Sequence, residues 1–432
     1  MYLSRYLKIY PHGQEPDYRL FFSTKKASII LLHESTLRSI NDGDLSPSDE
    51  NTLTELGFLV LDTNEEKEEM LGFIDGINEK KNRLNVVVVM NLDCNLDCRY
   101  CYEGGMKGKF YMSSGIANLL IDFIERNYIS NGKAVHLDFY GGEPLLSFEL
   151  IKDISKRLKS SAEENGLSYT FGLVTNGTLL TGKIAADLAS LGLNSAKVTI
   201  DGPKENHDRF RPFKTGSGSF DTIIRNIKET CSLIDIQIGG NYTRENYRDF
   251  PRLLNYLPEE GLSPEKLFVV KFDPVTKTDG ALPDFREGCE SINETWLFEA
   301  SIFLREEILK RGFHTPKILP STCMIELNDD IVVNFDGTLH KCPGLIGREG
   351  FDVGDLKTGI KDYRKSHNLE MWKNQECLHC EYLPLCFGGC RYMKLLRDRR
   401  IDGVDCRKPY LDATLEALIR QDIKYRLKAD QP

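Results

Sequence analysis

The sequence predicts an α/β protein whose central element is a parallel β-sheet. From residue 86 onward, short apolar runs alternate six times with segments of helical periodicity. Such alternation is typical of repeated β-α units, whose connections cross back over the sheet and leave successive strands parallel. Of the 432 residues, 41% are apolar and 28% are charged, which is sufficient for two or three soluble, folded domains.

Six apolar runs provide the predicted strands: 86–90, 135–140, 169–175, 196–201, 234–239 and 267–272. The segments between them carry apolar residues at helical spacing, as at Leu120, Phe123 and Ile124. Periodicity predicts the order of these elements, but it leaves open whether the sheet is flat or curved into a partial barrel.

The first 80 residues are predicted to form a separate small α+β domain. Strand-like stretches at 18–22 and 27–32 precede a helix that starts near Ser46, and another strand follows at 57–61. A charged helix over 65–77 then leads into the sheet domain, which we expect to occupy residues 84–275.

The rest of the chain is predicted to contain a connecting helical segment, 276–320, and a cysteine-rich domain, 321–432. The connecting segment has a helical pattern over 294–310. Residues 331–335 and 338–340 flank an Asp-Gly turn and are typical of a β-hairpin. The last predicted element is an amphipathic helix over 410–428.

Charge and apolar patterning exclude several classes of function. The formal net charge of -9 argues against a surface that binds nucleic acid or anionic lipid, so neither is a predicted partner. Every apolar run is shorter than the roughly 20 residues that cross a bilayer, and the N-terminus lacks the apolar core of a secretory signal. We therefore expect a cytoplasmic protein, in which disulfides are rare, and the twelve cysteines need another explanation.

A first group of cysteines follows the first predicted strand directly. Cys94, Cys98 and Cys101 have the spacing Cys-x3-Cys-x2-Cys. Three thiolates on one loop can hold three irons of a 4Fe-4S cluster and leave the fourth iron open to an outside ligand. Structural zinc is the alternative interpretation, but zinc takes four protein ligands and no fourth lies nearby in the sequence.

This arrangement resembles the radical S-adenosylmethionine (SAM) superfamily, in which an aromatic residue, here Tyr100, precedes the last cysteine. Directly after the second strand, the sequence Gly141, Gly142, Glu143 and Pro144 matches the family's Gly-Gly-Glu-Pro motif. The resemblance implies that this loop contacts the amino group of SAM. Glycines permit a close backbone approach, and a carboxylate can accept from an ammonium group.

The same resemblance extends over residues 85–275 and implies a partial (β/α)6 barrel of the TIM type. It also implies that the open iron binds SAM. Reduction of the cluster would cleave SAM to a 5′-deoxyadenosyl radical, while the protein supplies position and exclusion of solvent.

Two further strand ends fit the resemblance. Asn176 follows the third strand, and Thr199 and Asp201 end the fourth. Parallel α/β folds place ligands at such carboxyl ends. The resemblance implies that these residues face the ribose and carboxylate of SAM, with Arg211 as a carboxylate partner. Helix capping and turn formation are the alternative interpretation. The nearby His207 is interpreted as a loop residue.

A second group contains seven cysteines whose spacing resembles the SPASM module of this superfamily. The resemblance implies two auxiliary 4Fe-4S clusters, and hence three clusters in all. The outer cluster would be held by Cys377, Cys380, Cys386 and Cys406, and the inner one by Cys323, Cys342 and Cys390. A zinc ribbon could use four of these residues but would leave three unexplained.

With only three thiolates, the inner cluster is predicted to have an iron open to a substrate thiolate. The two remaining cysteines, Cys231 and Cys289, are interpreted as packed thiols.

Members with a SPASM module mostly modify peptides or proteins. The chain is similar to peptide maturases, with some likeness of its opening residues to geopeptide maturases. Residues 1–80 resemble the small winged-helix-like domain that recognises the leader of a precursor peptide, which could add as a strand to a sheet edge. The predicted function is hydrogen abstraction from a ribosomally made precursor to form a crosslink such as a thioether. A low-potential donor such as ferredoxin or flavodoxin is the predicted electron partner.

Two alternatives to a crosslinking maturase remain, and the second belongs to another class of function. An anaerobic sulfatase maturase would generate formylglycine, but those enzymes carry an Asp directly after the second SPASM cysteine, where this chain has Pro343. A non-catalytic iron-sulfur electron carrier would not need the Gly-Gly-Glu-Pro loop.

Overall fold

The computed structural model describes residues 1–13, 15–278, 285 and 287–427. By internal contacts the chain divides into two compact units. Unit 1 comprises Met1–Lys80, Lys317–Leu327 and Asn368–Arg420, and unit 2 comprises Lys81–Pro316, Asn328–His367 and Gln421–Pro432. The predicted division into four domains follows the chain instead and stays a prediction. Part of the predicted connecting segment, residues 279–284 and 286, lies outside the described residues.

Unit 2 is built on a parallel sheet. Its six parallel strands are β6 (Arg83–Asn91), β7 (Ala134–Gly141), β8 (Tyr169–Thr175), β9 (Leu193–Thr199), β10 (Asp235–Tyr242) and β11 (Val269–Pro274). Each strand pairs with the next along the chain, as expected for right-handed β-α repeats. This partial barrel confirms the predicted fold class, and all six predicted strands are present.

The sheet continues beyond β6 into four short strands: β12 (Asp330–Val333), β13 (Thr338–His340), β14 (Gly354–Asp355) and β15 (Gly359–Ile360). The strands β12 and β13 are antiparallel, which confirms the predicted hairpin.

The helices of unit 2 cover the sheet through apolar faces of helical spacing. They are α5 (Ser114–Asn127), α6 (Phe148–Glu164), α7 (Gly182–Ala189), α8 (Lys204–Phe210), α9 (Phe220–Thr230), α10 (Phe250–Glu259) and α11 (Thr295–Leu309). In α9, for example, Ile223, Ile224 and Ile227 are all buried on one face. The helix α11 confirms the helical pattern at 294–310.

The N-terminal part of unit 1 contains five short strands and four helices. The strands are β1 (Tyr2–Leu3), β2 (Leu7–Pro11), β3 (Tyr18–Ser23), β4 (Ile29–His33) and β5 (Leu59–Val60), and the helices are α1 (Glu34–Asp42), α2 (Pro47–Glu55), α3 (Thr63–Leu71) and α4 (Phe73–Lys80). The strands β2, β3 and β4 form an antiparallel sheet in that order. The structure confirms β3, β4, β5 and the helix capped by Ser46.

Several features of this part differ from the expectations. The strands β1 and β2 and the helix α1 were not predicted. The expected single helix over 65–77 is two helices, because the first ends at Leu71 with Gly72 as its C-cap and the second starts at Phe73.

The C-terminal part of unit 1 carries short helices among the cysteines. They are α12 (Gln375–Leu378), α13 (Leu383–Cys386), α14 (Arg391–Asp398) and α15 (Lys408–Asp422). The predicted last helix continues past α15 as a π-helical turn, Ile423–Leu427, and its expected end at residue 428 lies outside the described residues. None of the described helices has the length and apolar content needed to span a membrane.

One core of unit 1 joins the two ends of the chain. Tyr6, Met70 and Ile74 from the N-terminal part are buried together with four residues of the cysteine segment: Trp372, Leu378, Leu383 and Phe387. The N-terminal part is therefore packed directly against the segment that carries the predicted outer-cluster cysteines.

Candidate functional site

The first cysteine loop follows β6 and is held in place by the segment after α8. The backbone N–H of Asp97 donates to the carbonyl of Pro212 at 2.8 Å, and that of Arg99 donates to the carbonyl of Phe210 at 3.1 Å. These bonds bring the loop next to Arg211, far away in sequence.

The three predicted cluster ligands on this loop lie close together. Burial raises the pKa of all three thiols. A neighbouring cysteine adds to the rise in each case: Cys98 for Cys94, Cys101 for Cys98, and Cys94 for Cys101. For Cys98 burial is the largest cause, and the Arg211 guanidinium opposes it. Three converging thiols with a cation nearby fit a ligand set that is deprotonated on binding iron.

The glycines of the second loop permit close contact with the cysteine loop. A Cβ atom on Gly142 would lie 2.1 Å from the carbonyl oxygen of Asp93, and one on Gly141 would lie 2.3 Å from that of Asn91. The N–H of Gly142 donates to Asn91 at 3.0 Å, and the N–H of Glu143 donates to Asp93 at 2.8 Å. Both glycines are thus required by backbone packing within the protein.

Glu143 is fully buried and joins the second loop to the end of β8. Its carboxylate accepts from the Thr175 hydroxyl at 2.8 and 2.9 Å, from the Asn176 N–H at 2.8 Å and from the Leu145 N–H at 3.1 Å. Burial raises the pKa of Glu143, and these donors oppose the rise. A carboxylate accepts about four hydrogen bonds, so one position remains for a further donor such as an ammonium group. Pro144, also buried, starts the short 3-10 helix Pro144–Ser147.

Asn176 joins the third strand end to the cysteine loop. Its amide donates to the side chain of Asn95 at 2.8 Å and lies 3.7 Å from the Cys94 sulfur. The same side chain accepts from the N–H of Thr178 at 2.9 Å. The ends of β6, β7 and β8 are therefore connected by direct hydrogen bonds around Cys94.

A second network surrounds Tyr100. Its hydroxyl donates to the Asp201 carboxylate and accepts from Arg211 at 2.9 Å and from the Asn241 amide at 3.0 Å. The backbone N–H of Asn241 also donates to Asp201 at 2.8 Å. The Tyr100 hydroxyl thus connects Asp201 and Arg211, and the assignment of all three residues to SAM stays a prediction.

Arg211 is buried and charged. Burial opposes its charge, but Cys98, Tyr100 and Asp201 outweigh this effect and raise its pKa well above the ordinary value. Its buried Nε has no hydrogen-bond partner among the described residues. An unused donor on a buried guanidinium fits the expected carboxylate of SAM.

Thr199 ends β9 and lies beside Gly239 of β10. No described contact gives it a role beyond this position, so its assignment stays a prediction. Asn95 and Asn241 were not predicted from the sequence. Asn241 was recognisable in principle, because it lies near the end of a parallel strand.

The four predicted outer-cluster cysteines meet in unit 1. Cys377, Cys380, Cys386 and Cys406 line one cavity of about 170 Å³. The Nε of Arg407, adjacent in sequence to Cys406, is buried and has no partner among the described residues. Four thiols around one cavity fit a cluster with complete protein ligation.

Two of the predicted inner-cluster cysteines, Cys323 and Cys390, are also near one another in unit 1. Burial raises the pKa of Cys323, the Arg391 guanidinium opposes the rise, and the Cys390 thiolate adds to it. The Arg391 guanidinium also donates to the buried carboxylate of Glu326. Cys342 belongs to unit 2, where it precedes the turn Pro343–Leu345.

Within the described ranges, no three His, Cys, Asp or Glu side chains are arranged to hold a single metal ion. Cys231 lies at the end of α9, and Cys289 is buried with its pKa raised to about 12 by burial. His207, expected in a loop, lies in α8 and is fully buried.

Residues 88–257 match the model of the Radical SAM superfamily. A curated relative, the Fe-coproporphyrin III synthase of Methanosarcina barkeri, is 34% identical over 180 residues, which is 40% of this chain and 41% of that protein. The chain thus spans less than half the length of this relative.

Two solved structures are similar in fold. Native anSMEcpe with bound AdoMet and Kp18Cys peptide has a TM-score of 0.63 and 18% identity, covering 78% of this chain and 98% of that one. Streptococcus suis SuiB bound to precursor peptide SuiA has a TM-score of 0.55 and 14% identity, covering 94% and 98%. At these identities the likeness shows the fold alone. The cysteine loop and the Gly-Gly-Glu-Pro loop both lie within the matched residues, so residues 88–257 are similar to the Radical SAM superfamily.

Proposed function

We propose that this protein reductively cleaves SAM and uses the resulting 5′-deoxyadenosyl radical to abstract hydrogen from a ribosomally made precursor peptide. The observation that carries the SAM step is the junction of three strand ends around Cys94, where Glu143 and Asn176 connect the loops directly. Cys94, Cys98 and Cys101 would hold the cluster that supplies the reducing electron.

The chain's own residues would bind the two ends of the amino-acid part of SAM. The free acceptor position of Glu143 suits the ammonium group, and the unused Nε of Arg211 suits the carboxylate. The Tyr100 hydroxyl bonds to both Arg211 and Asp201 and so fixes their positions relative to one another. The burial of these groups excludes water and strengthens each interaction.

The N-terminal sheet supports a peptide substrate. One end of the outer edge of β2 is occupied, since Arg420 donates to the carbonyl of Pro11 at 2.6 Å. The strand β4 lies at the other edge of the sheet and, among the described residues, pairs only with β3. Its Leu31 is 44% exposed. We propose that the leader of the precursor pairs with β4, where main-chain groups and an apolar side chain are available.

The product proposed here is a crosslink such as a thioether, formed with the help of two auxiliary 4Fe-4S clusters. A low-potential ferredoxin or flavodoxin would supply electrons. The structures of similar fold contain bound peptides, which supports a peptide as the substrate class.

The SAM step is tested by anaerobic assay of the reconstituted protein with dithionite. We expect release of 5′-deoxyadenosine from the wild type and its loss in Cys94→Ala. Cys231→Ala, which removes a cysteine outside all three predicted ligand sets, is the matched control and should retain activity. Activity that survives Cys94→Ala would refute the assignment of this cysteine.

The substrate class is tested by mass spectrometry of a candidate precursor encoded nearby and co-expressed with the enzyme. Loss of two hydrogens together with resistance to thiol alkylation indicates a thioether. A formylglycine product would instead support the sulfatase-maturase alternative, and an unmodified peptide would contradict the proposal for that precursor.

A further inference from the structure

We infer that His207 and Ser219 position Asp201 and Arg211 for SAM by connecting the backbones of these two residues through one hydrogen-bonded chain. The inference rests on the proposed function, because Asp201 and Arg211 matter here as SAM contacts. Neither His207 nor Ser219 belongs to the predicted site.

The chain of hydrogen bonds has three links. The backbone N–H of Asp201 donates to Nδ1 of His207 at 3.1 Å. Nε2 of His207 lies 3.0 Å from the Ser219 hydroxyl, which donates to the backbone carbonyl of Arg211 at 2.7 Å. A fourth bond joins the same residues, since the N–H of Arg211 donates to the carbonyl of His207 at 2.7 Å.

The two backbone groups at the ends of this chain determine which atom donates and which accepts in each of its hydrogen bonds. A backbone N–H can only donate and a backbone carbonyl can only accept. Nδ1 of His207 must therefore lack a proton, and Nε2 must carry one and donate it to Ser219. A protonated ring would direct an N–H from Nδ1 against the N–H of Asp201, so the imidazole is neutral in the folded protein.

The surroundings agree with this neutral tautomer. Both side chains are fully buried, and the ring of Phe220 meets the imidazole edge to face at 5.7 Å. Burial is the main cause that lowers the pKa of His207 well below its ordinary value, and the nearby Arg211 adds to it.

The geometric consequence concerns the two SAM contacts. Asp201 accepts from Tyr100 and Asn241, and Arg211 donates to Tyr100, so a shift of either backbone would displace the whole network. His207 and Ser219 are positioning residues, because they act through Asp201 and Arg211 and make no contact with the SAM-facing atoms. Residues that orient metal ligands change metal affinity or activity by about 10- to 100-fold when lost, and we expect an effect of similar size on SAM binding here.

The test uses two buried serines as a matched pair. Ser219→Ala removes the link to Arg211. Ser155→Ala removes an equally buried hydroxyl that accepts from Tyr169 at 3.1 Å, elsewhere in the barrel. Both variants should lower the melting temperature to a similar extent. Only Ser219→Ala should weaken SAM binding, by about 10-fold or more.

Binding is measured by titrating SAM into the reduced, reconstituted protein and following the change in the electron paramagnetic resonance of the cluster. Steady-state assays then separate KM from kcat. We expect a raised KM for SAM with a smaller change in kcat, and unchanged iron content.

His207→Asn provides the rescue, because the Asn oxygen can replace Nδ1 as the acceptor for Asp201. It should bind SAM more tightly than His207→Ala. If Ser219→Ala and Ser155→Ala bind SAM equally well, or if Asn rescues nothing, the positioning role is wrong. A wild type that binds and cleaves no SAM would overturn the proposed function itself, which distinguishes the two failures.

Discussion

The proposed SAM site of unit 2 and the cysteine segment of unit 1 are assembled in opposite ways. In unit 2 the site is formed where consecutive strands β6, β7 and β8 end, so its loops follow one another along the chain. In unit 1 the core brings together residues from the two ends of the protein. The hydroxyl of Tyr6, for example, donates to the carbonyl of Leu378, 372 positions away.

The difference is most evident around the predicted outer-cluster loop. The Thr24 hydroxyl donates to the carbonyl of Glu381 at 2.6 Å, and the ammonium of Lys8 lies 3.1 Å from the Glu381 carboxylate. Phe73 stacks on Phe387 with ring centroids 5.4 Å apart. Both acceptor groups belong to Glu381, which lies between Cys380 and Cys386. The N-terminal part therefore contacts the loop that carries these predicted ligands.

This comparison indicates that cofactor loss should have different consequences in the two units. In unit 1, removing the proposed outer cluster is expected to loosen the N-terminal part, because its core residues share the loop that carries the predicted ligands. In unit 2, the barrel strands are expected to remain ordered without the proposed SAM-cleaving cluster, because their large apolar core does not include the cysteine loop.

The largest expected effect is therefore the response to Cys386→Ser, compared with Cys94→Ala. Hydrogen exchange should show lost protection in β2 and α4 for Cys386→Ser, and retained protection in β7 to β9 for both variants. Unchanged exchange in residues 1–80 of the Cys386→Ser protein would contradict the shared-core interpretation.

A buried ion pair provides the second comparison. Glu326 pairs with Arg391 in unit 1, and both side chains are almost fully buried. Glu326→Gln removes the carboxylate from a buried ion pair, so it should cost about 3–5 kcal/mol of unfolding free energy.

The control is Glu299→Gln in unit 2, where the Arg248–Glu299 pair is exposed and should be dispensable. Denaturant titration of both variants measures the difference. Equal stability of the two proteins would show that the buried pair contributes nothing net.

Replacing either of two glycines by alanine is expected to change the stability of the protein in opposite directions. Gly142→Ala in unit 2 would force a Cβ against the backbone of Asp93, and we expect a loss of about 1–3 kcal/mol together with loss of SAM binding. Gly76→Ala in α4 meets open space within a helix and should stabilise the protein by about 0.5–1 kcal/mol. Thermal unfolding and SAM titration check both. A Gly142→Ala protein that binds SAM normally would show that the loop tolerates displacement.

The smallest expected effect is a pH dependence of stability due to His207. Its folded pKa lies well below the ordinary value because of burial and Arg211, so the unfolded chain takes up a proton first as the pH falls. Stability should therefore decrease below about pH 6.5, by up to about 1.4 kcal/mol per pH unit.

His207→Asn does not titrate there and should lack this part of the slope. The measurement is denaturant unfolding of both proteins between pH 7.5 and 5.5. Parallel pH profiles would contradict a neutral, buried His207.

The sequence predicted unit 2 well because its signals are local. Apolar runs marked all six strands, and the loops with Cys94 and Gly142 were recognised at strand ends, where parallel sheets bind ligands. The packing requirement for Gly141 and Gly142 could not be predicted. It depends on close contact with the backbone of Asn91 and Asp93, which forms only in the folded barrel.

Unit 1 was harder to predict because its decisive contacts are distant in sequence. Nothing near Thr24 or Tyr6 indicates a partner some 350 to 370 residues later. His207 shows a related limit in unit 2, since its role depends on Ser219 and Arg211, which the local pattern does not connect. Periodicity and motif spacing do not predict side-chain networks that join separate loops.

The shared core of Tyr6, Met70 and Ile74 with Trp372 and Phe387 has a practical consequence for protein engineering. Deleting the first 80 residues would expose the apolar residues of the cysteine segment to solvent. A loss of activity in such a protein could therefore result from destabilisation of this segment as well as from lost substrate recognition. Exchanging specificity between related enzymes would require the N-terminus to be transplanted together with its partner segment around residues 372–387.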